Sequence, residues 1–378
     1  MIILHVVTHY YPVLGGLEKA VQKLAEEQTK LNHEVHVLTS TYGAETRSEE
    51  ETLNNVSIHR VRAWRLHYPD LTIPKEVPKM LLKRADVIHV HSQNSMFNLK
   101  IIEAVKPYST RVAMHFMAID AINDHPNFLI RILGSFYVRC ALKKALKLAD
   151  VKMCRSKRDV EILKKRYGVE RVYLVPDGID KEIIIKPNMA QFFREKYKVY
   201  DDIILYVGRL HRLKGIKILL KSASAIVKEH RDVTFIFIGP GNKMPYISFA
   251  KKLGILKNVM FLGYVSEEDK IGALDSSIAL ILPSICNYVE VYPMVISEAW
   301  ARKKPVIASS VGGVPYRIRH LKNGILVQPK DYRMLAYAIT MLLEDKNLAR
   351  KLGEEGFKEI RNYTWDKIAL LVEKVYIS

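Results

Sequence analysis

The chain has 378 residues, 49% of them hydrophobic and 26% charged, which excludes a disordered, collagen-like or coiled-coil protein and calls for about two domains. Lys and Arg number 59 against 40 Asp and Glu, a formal net charge of +19. Both halves share it, so it favours anionic partners (nucleotides, phosphorylated substrates, nucleic acid or an acidic membrane) or a basic surface of the heat-stable type.

Short apolar runs alternate with stretches at helical spacing. Strands are predicted at Ile2–Thr8, Val35–Thr39, Val56–Val61, Val87–His91, Arg111–His115, Val151–Cys154 and Val172–Val175, with helices at Leu17–Leu31, 128–149 and 157–167. The turn Pro176-Asp177-Gly178 closes this half, and a linker is expected near 177–190. The rhythm then restarts. Strands are predicted at Ile203–Val207, Thr234–Ile238, Val259–Leu262, Ala279–Leu282, Val306–Ala308 and Ile325–Val327. Helices fall at 215–229, 244–253, 266–275, 293–302 and 331–345, and an amphipathic segment, Trp365–Tyr376, ends the chain. The fold class is therefore α/β: two Rossmann-like, doubly wound parallel sheets, residues 1–180 and 181–363, expected to face a central cleft.

No apolar run approaches the roughly 18 residues of a bilayer span. The N-terminus MIILHVVTHYY lacks a basic leader and a cleavage site. Cys140, Cys154 and Cys286 have neither disulfide nor metal-ligand spacing. A cytoplasmic protein is expected.

Open α/β sheets bind ligands at the carboxyl ends of their strands, so motifs there carry the functional reading. Gly15 and Gly16 sit between the first strand and the first helix, where a phosphate could meet free N–H groups, or where a turn simply needs glycine. His115 ends the strand RVAMH and could bind a sugar hydroxyl or act near neutral pH. It could equally be a structural histidine, as could His5, His9, His89 and His91. Arg209 and Lys214, in Gly208-Arg209-Leu210…Lys214-Gly215, can converge on a diphosphate, or be solvated charges. In Glu290-Val291-Tyr292-Pro293-Met294-Val295…Glu298, Pro293 suits a first helical turn and the two carboxylates could address different parts of one elongated ligand. Glu298 lies in an apolar stretch and needs a partner there. Gly312-Gly313-Val314-Pro315 reads only as a tight loop.

These pieces, with V-P-D-G-I-D at 175–180, F-I-G-P-G at 237–241, F-L-G-Y-V at 261–265 and N-G-I-L-V at 323–327, resemble the family-4 retaining glycosyltransferases of GT-B fold, over nearly the whole chain. The resemblance implies a hexosyl unit moved from a nucleotide-diphosphate sugar to an acceptor hydroxyl. It implies that Arg209 and Lys214 neutralise the diphosphate and Glu298 takes the ribose hydroxyls. Glu290 and His115 would meet the donor sugar, and amides at Tyr292, Met294 and Val295 would bind sugar or phosphate. Gly15 and Gly16 would approach the phosphate, and Gly263 and Val265 would lie near the base. On the same grounds the segment 364–378 would cross back to the N-terminal domain, and neither metal nor cofactor is expected. Three residues depart from the family pattern: Asp177 for Asn, Pro293 for Gly, and Tyr316 for Glu.

The acceptor, a glycan, a lipid-linked sugar or a small molecule, is not readable. The stretch 129–149 is a basic amphipathic helix. It fits an anionic membrane, hence a peripheral seat on the inner face of the cell membrane, or packing with a solvated basic edge. A nucleotide-sugar epimerase, a phosphorylase of the same fold and a non-catalytic binding subunit are the alternatives. No nucleic-acid module is visible, so no nucleic-acid partner is expected.

Overall fold

A computed structural model describes residues 1–13, 15–66 and 71–378, with nothing stated of the Leu66 side chain. The described residues divide into two compact units: Met1–Gly178 with Trp365–Ser378, and Ile179–Thr364.

The first unit contains β1 (Ile2–Val6), β2 (Glu34–Ser40), β3 (Glu50–Leu53), β4 (Val56–Val61), β5 (Ala63–Leu66), β6 (Leu71–Pro74), β7 (Val87–His91), β8 (Arg111–Phe116), β9 (Val151–Cys154) and β10 (Tyr173–Leu174). Eight of these make one sheet in the order β10-β9-β8-β7-β1-β2-β4-β3. Every pairing is parallel except β3 with β4 at one edge. Strands β5 and β6 pair antiparallel with each other. Alternate residues of the central strands (Leu4, Val6, Ile88, Val90, Val112, Met114, Phe116) form an apolar core on one face with helices Met96–Val105 and Phe128–Leu148. The opposite face carries helix Gly16–Lys30 and the C-terminal helix Trp365–Ile377, which pack on each other.

The second unit contains β11 (Asp202–Val207), β12 (Val233–Ile238), β13 (Val259–Gly263), β14 (Ser277–Leu282), β15 (Val306–Ser309) and β16 (Ile325–Val327). The sheet order is β13-β12-β11-β14-β15-β16, all parallel. Both faces are apolar: Ile204, Tyr206, Phe235 and Ile281 point one way, Ile203, Leu205, Ile236 and Leu280 the other. Such near-continuous burial is what helices on both faces of a parallel sheet require. The reversal of strand order lies between β11 and β14, and the loops after these strands carry the residues described next.

Among the described residues no helix is long and apolar enough to cross a membrane. Among the described residues no cysteine is in a disulfide.

Candidate active site

The site in the second unit is built from the loops after β11, β14 and β15. The residues after β11 run through Arg209 into a short 3-10 turn, Arg212–Lys214, and then helix Ile216–Ile226. Gly215 joins turn to helix with φ +74°, and a Cβ there would sit 1.8 Å from the Pro283 carbonyl oxygen. Only glycine permits that approach, which lays Lys214 beside the loop after β14. The Lys214 ammonium bonds Glu290 Oε1 at 2.7 Å, and the Ser284 hydroxyl donates to the same oxygen at 2.5 Å. Glu290 is 2% exposed. Its Oε2 takes part in none of the described hydrogen bonds.

The loop after β15 fixes this carboxylate. The Gly313 amide donates to the Glu290 carbonyl at 2.8 Å. A Cβ on Gly312, which has φ +55°, would lie 2.0 Å from that carbonyl oxygen, and one on Gly313 would lie 2.0 Å from the Val291 oxygen. The Gly-Gly-Val-Pro turn is thus more than a tight loop: its bare backbone is the seat of residues 290–291.

Helix Met294–Ala301 begins after Pro293, with no side-chain cap. None of the described hydrogen bonds takes the Met294 or Val295 amide, so the first turn presents two donors and the positive end of the helix dipole. Arg317 holds this turn in place. It donates to the Pro293 carbonyl and to Ser297 Oγ, both at 2.7 Å, and its guanidinium lies 4.0 Å from the centre of the Tyr292 ring. Glu298, buried on the same helix, receives Lys270 Nζ at 2.9 Å. Lys270 also reaches Glu267 at 2.9 Å. Burial disfavours the Lys270 ammonium, but the carboxylates of Glu298 and Glu267 outweigh it and raise its pKa. Arg209 is exposed at the start of its loop. Gly263 ends β13 with φ +74° and accepts from the Gly239 amide at 2.7 Å; Val265 is half-buried two residues on.

The remaining candidates belong to the first unit. Gly15 is the N-cap of helix Gly16–Lys30, at φ −135° and without a side-chain cap. Gly16 is helical, and a Cβ there would meet nothing within 4 Å. Neither residue needs glycine's backbone freedom, so a turn requirement does not account for the pair; a Cβ on Gly15 would meet the Glu18 carboxylate at 2.0 Å, and only Gly16 leaves open space at the helix N-terminus. His115 differs from expectation. It is buried, its Nε2 bonded to the Val175 carbonyl at 3.0 Å. Desolvation, helped by the Arg155 charge, lowers its pKa to about 3. It is a neutral imidazole at physiological pH, so acid–base action near neutrality is not available to it. Asp177, in the turn that closes this unit, is also buried and pairs with Arg155 at 3.2 Å.

Two family models match the chain: glycosyltransferase family 4 over residues 14–183 and glycosyl transferases group 1 over residues 189–359. The chain belongs to the group-1, family-4 glycosyltransferases. It is 28% identical to an uncharacterized glycosyltransferase of Methanocaldococcus jannaschii, over 98% of this chain and 96% of the relative. Sucrose-phosphate synthase from Thermosynechococcus elongatus superposes with a TM-score of 0.81 at 21% identity, covering 99% and 98% of the two chains. Anabaena HepE, solved in complex with UDP, gives 0.78 at 19% identity and 99% coverage of each. The fold of this glycosyltransferase is GT-B.

Of the site residues expected in this glycosyltransferase, the structure joins Lys214 directly to Glu290. It gives Glu298 the partner its apolar surroundings demanded. That partner, Lys270, was not singled out in the sequence, and neither was Arg317; Ser284 heads the Pro283-Ser284…Glu290 motif, where no role was assigned to it. Lys270 sits in an acidic helix start, Ser266-Glu267-Glu268-Asp269, and reads there as one more surface charge. Only tertiary packing of helix Glu267–Ser276 beside Glu298 shows otherwise.

Proposed function

We propose that this glycosyltransferase moves a hexosyl unit from a nucleotide-diphosphate sugar to an acceptor hydroxyl with retention of anomeric configuration and without a metal ion at the donor. The observation that carries the donor assignment is the Lys214–Glu290–Ser284 cluster beside an uncapped helix start. A cation fixed beside two free amides suits a departing diphosphate as it gains charge, and supports this reading. Lys214 and the exposed Arg209 supply the positive charge that a divalent ion would otherwise bring. Glu298, oriented by Lys270, accepts the two ribose hydroxyls through its remaining acceptor capacity. Glu290, with Oε1 committed to Lys214 and Ser284, turns Oε2 to a hydroxyl of the donor sugar. The UDP seen with HepE, a protein of the same fold, supports a nucleoside diphosphate as the leaving group.

For the acceptor, the carrying observation is helix Phe128–Leu148. Phe128, Leu129, Ile132, Leu133 and Phe136 are exposed along its first half, beside Arg131 and Arg139. Its second half packs through Val138, Ala141, Leu142 and Ala145. An apolar stripe flanked by cations fits an anionic bilayer, so the acceptor is lipid-linked and the enzyme sits peripherally on the membrane.

The test offers UDP-, GDP- and ADP-hexoses to the enzyme with lipid extracts, in chelator, and reads the product linkage by NMR. Product with the donor's anomeric configuration supports the proposal. Inverted product, or transfer that needs an added metal, overturns the corresponding part.

A further inference from the structure

Strand register pairs His5 with His89 and His91 with His115. Because residues i and i+2 share a face, all four histidines lie on one patch of the first sheet, beneath helices Gly16–Lys30 and Trp365–Ile377. All four are buried. In a parallel sheet such positions ordinarily hold Val or Ile, and imidazoles there are costly unless their nitrogens are satisfied.

The protons can be followed. Gln28 Oε1 only accepts, so His5 carries its proton on Nε2 and donates at 2.7 Å. His5 Nδ1 is then a lone pair, and His91 Nε2 donates into it at 2.9 Å. His89 Nδ1 meets the Tyr376 hydroxyl at 2.8 Å, which in turn accepts from Gln28 Nε2 at 3.2 Å. This leaves His89 Nε2, His91 Nδ1 and His115 Nδ1 buried without a partner. Such orphans are unfavourable in a core; His5 has none, so an ion held by its ring would take the place of the proton between His5 Nδ1 and His91 Nε2.

We propose that His5, His89 and His91 form a structural site for a divalent cation of the zinc class. One nitrogen from each ring lies within 4.8 Å of the others. A tetrahedral ion about 2.0–2.1 Å from each nitrogen needs separations of about 3.3 Å; His5 Nδ1 and His91 Nε2 are 2.9 Å apart, so that pair would open slightly and the third ring would close by at most about 1.5 Å. An all-imidazole set selects Zn²⁺, Cu²⁺ or Ni²⁺ over Mg²⁺ or Ca²⁺. Gln28 on His5 Nε2 and Tyr376 on His89 Nδ1 are the outer partners that orient metal-bound imidazoles. Burial keeps the rings neutral, the form that ligates: His5 is lowered to about 4, and His89 and His91 well below the ordinary value. The Arg155 charge is neutralised by Asp177. His115 stacks on His89 with ring centroids 5.6 Å apart and keeps its Nε2 on the Val175 carbonyl, outside the three-ring set. Through Tyr376 the ion would tie β1 and β7 to the C-terminal helix, a folding role that needs no access for substrate.

The patch is sealed, so loading is expected during folding. Tag-free full-length protein is unfolded in urea with chelator, desalted, and refolded with Zn²⁺, with Co²⁺ or with neither. The expected result is one zinc per chain by mass spectrometry, a higher melting temperature than the metal-free form, and the visible d–d absorption of tetrahedral Co²⁺. His91→Gln should bind only background metal, and Gln28→Leu should bind about 10–100-fold more weakly. The cobalt spectrum needs no variant, so a His91→Gln chain that fails to fold leaves the test intact. Background zinc in the refolded wild type, no cobalt spectrum, or equal binding by the His91→Gln chain would overturn the proposal.

Discussion

Removing the Lys214 ammonium separates a structural role from a catalytic one. Lys214→Met keeps the aliphatic stem and deletes the charge, leaving the Glu290 carboxylate with Ser284 alone. Breaking a buried pair from one side costs about 3–5 kcal/mol, because the remaining charge is uncompensated. The Glu290 side chain is 2% exposed but that of Lys214 is 16% exposed, so water reaches the pair from the lysine side and the loss should fall near the lower figure, about 3 kcal/mol. In a unit of this size that lowers the melting temperature by roughly 6–12 °C. The double variant Lys214→Met with Glu290→Gln removes the orphan charge and leaves an amide oxygen for Ser284 to donate to, so it should regain most of the loss. Neither variant should transfer sugar. The assay is thermal and urea unfolding of both variants beside a transfer assay. A single variant that melts within about 2 °C of wild type, or a double variant no more stable than the single one, would refute the reasoning.

Four further outcomes are expected. Gly16→Ala adds a Cβ in open space at a helical position, so stability should hold or rise by up to about 1 kcal/mol, while donor turnover falls because phosphate can no longer reach the backbone; unchanged turnover would remove Gly16 from the site. Gly312→Ala forces a Cβ to 2.0 Å from the Glu290 oxygen at φ +55°, so it should destabilise by about 1–3 kcal/mol and abolish transfer; a wild-type melting curve would contradict it. In metal-free protein the buried histidines have folded pKa values below the unfolded value near 6.5, so the unfolded chain takes up protons the folded chain refuses. Stability is then complete above that pH and falls as pH drops toward about 4 for His5 and about 3 for His115; each costs about 2 kcal/mol between pH 7.5 and 5, and flat urea midpoints over that window would disprove it. Leu133→Glu with Phe136→Glu should leave melting unchanged, both side chains being exposed, and abolish sedimentation with anionic vesicles at low salt; undiminished binding would end the membrane reading.

The fold was legible because apolar runs and helical spacing repeat cleanly: Val56–Val61, Val87–His91, Val151–Cys154 and Ile325–Val327 have the ends their residues predict. Elements that escaped lack that signal. Strand β3 is Glu50-Glu51-Thr52-Leu53, an edge strand half in water whose charges read as loop. Helix Lys346–Ile360 contains Gly353 and Gly356, which lower its propensity, and forms because Ala349, Leu352 and Ile360 are buried. At the site, Glu298 stood out as a carboxylate in an apolar stretch that needs a partner, and it is buried against Lys270. Lys214 was read as a diphosphate ligand, but its pairing with Glu290 was not legible, and Lys270 is one among 59 basic residues until packing sets it beside Glu298. His115 stayed open between a site role and a structural one because strand alternation gives the face of a residue but not what covers it; here it is buried with its Nε2 on the Val175 carbonyl.

The central claim is that the second unit holds a nucleoside diphosphate through Lys214 and Glu298. Thermal shift of the full-length protein against UDP, GDP and ADP, repeated with Glu298→Ala, tests it most directly. Ligand at about 100 times its dissociation constant should add about 2.7 kcal/mol. The account predicts stabilisation by one of the three nucleotides and its loss in the variant; stabilisation by none, or equal stabilisation of Glu298→Ala, would contradict it.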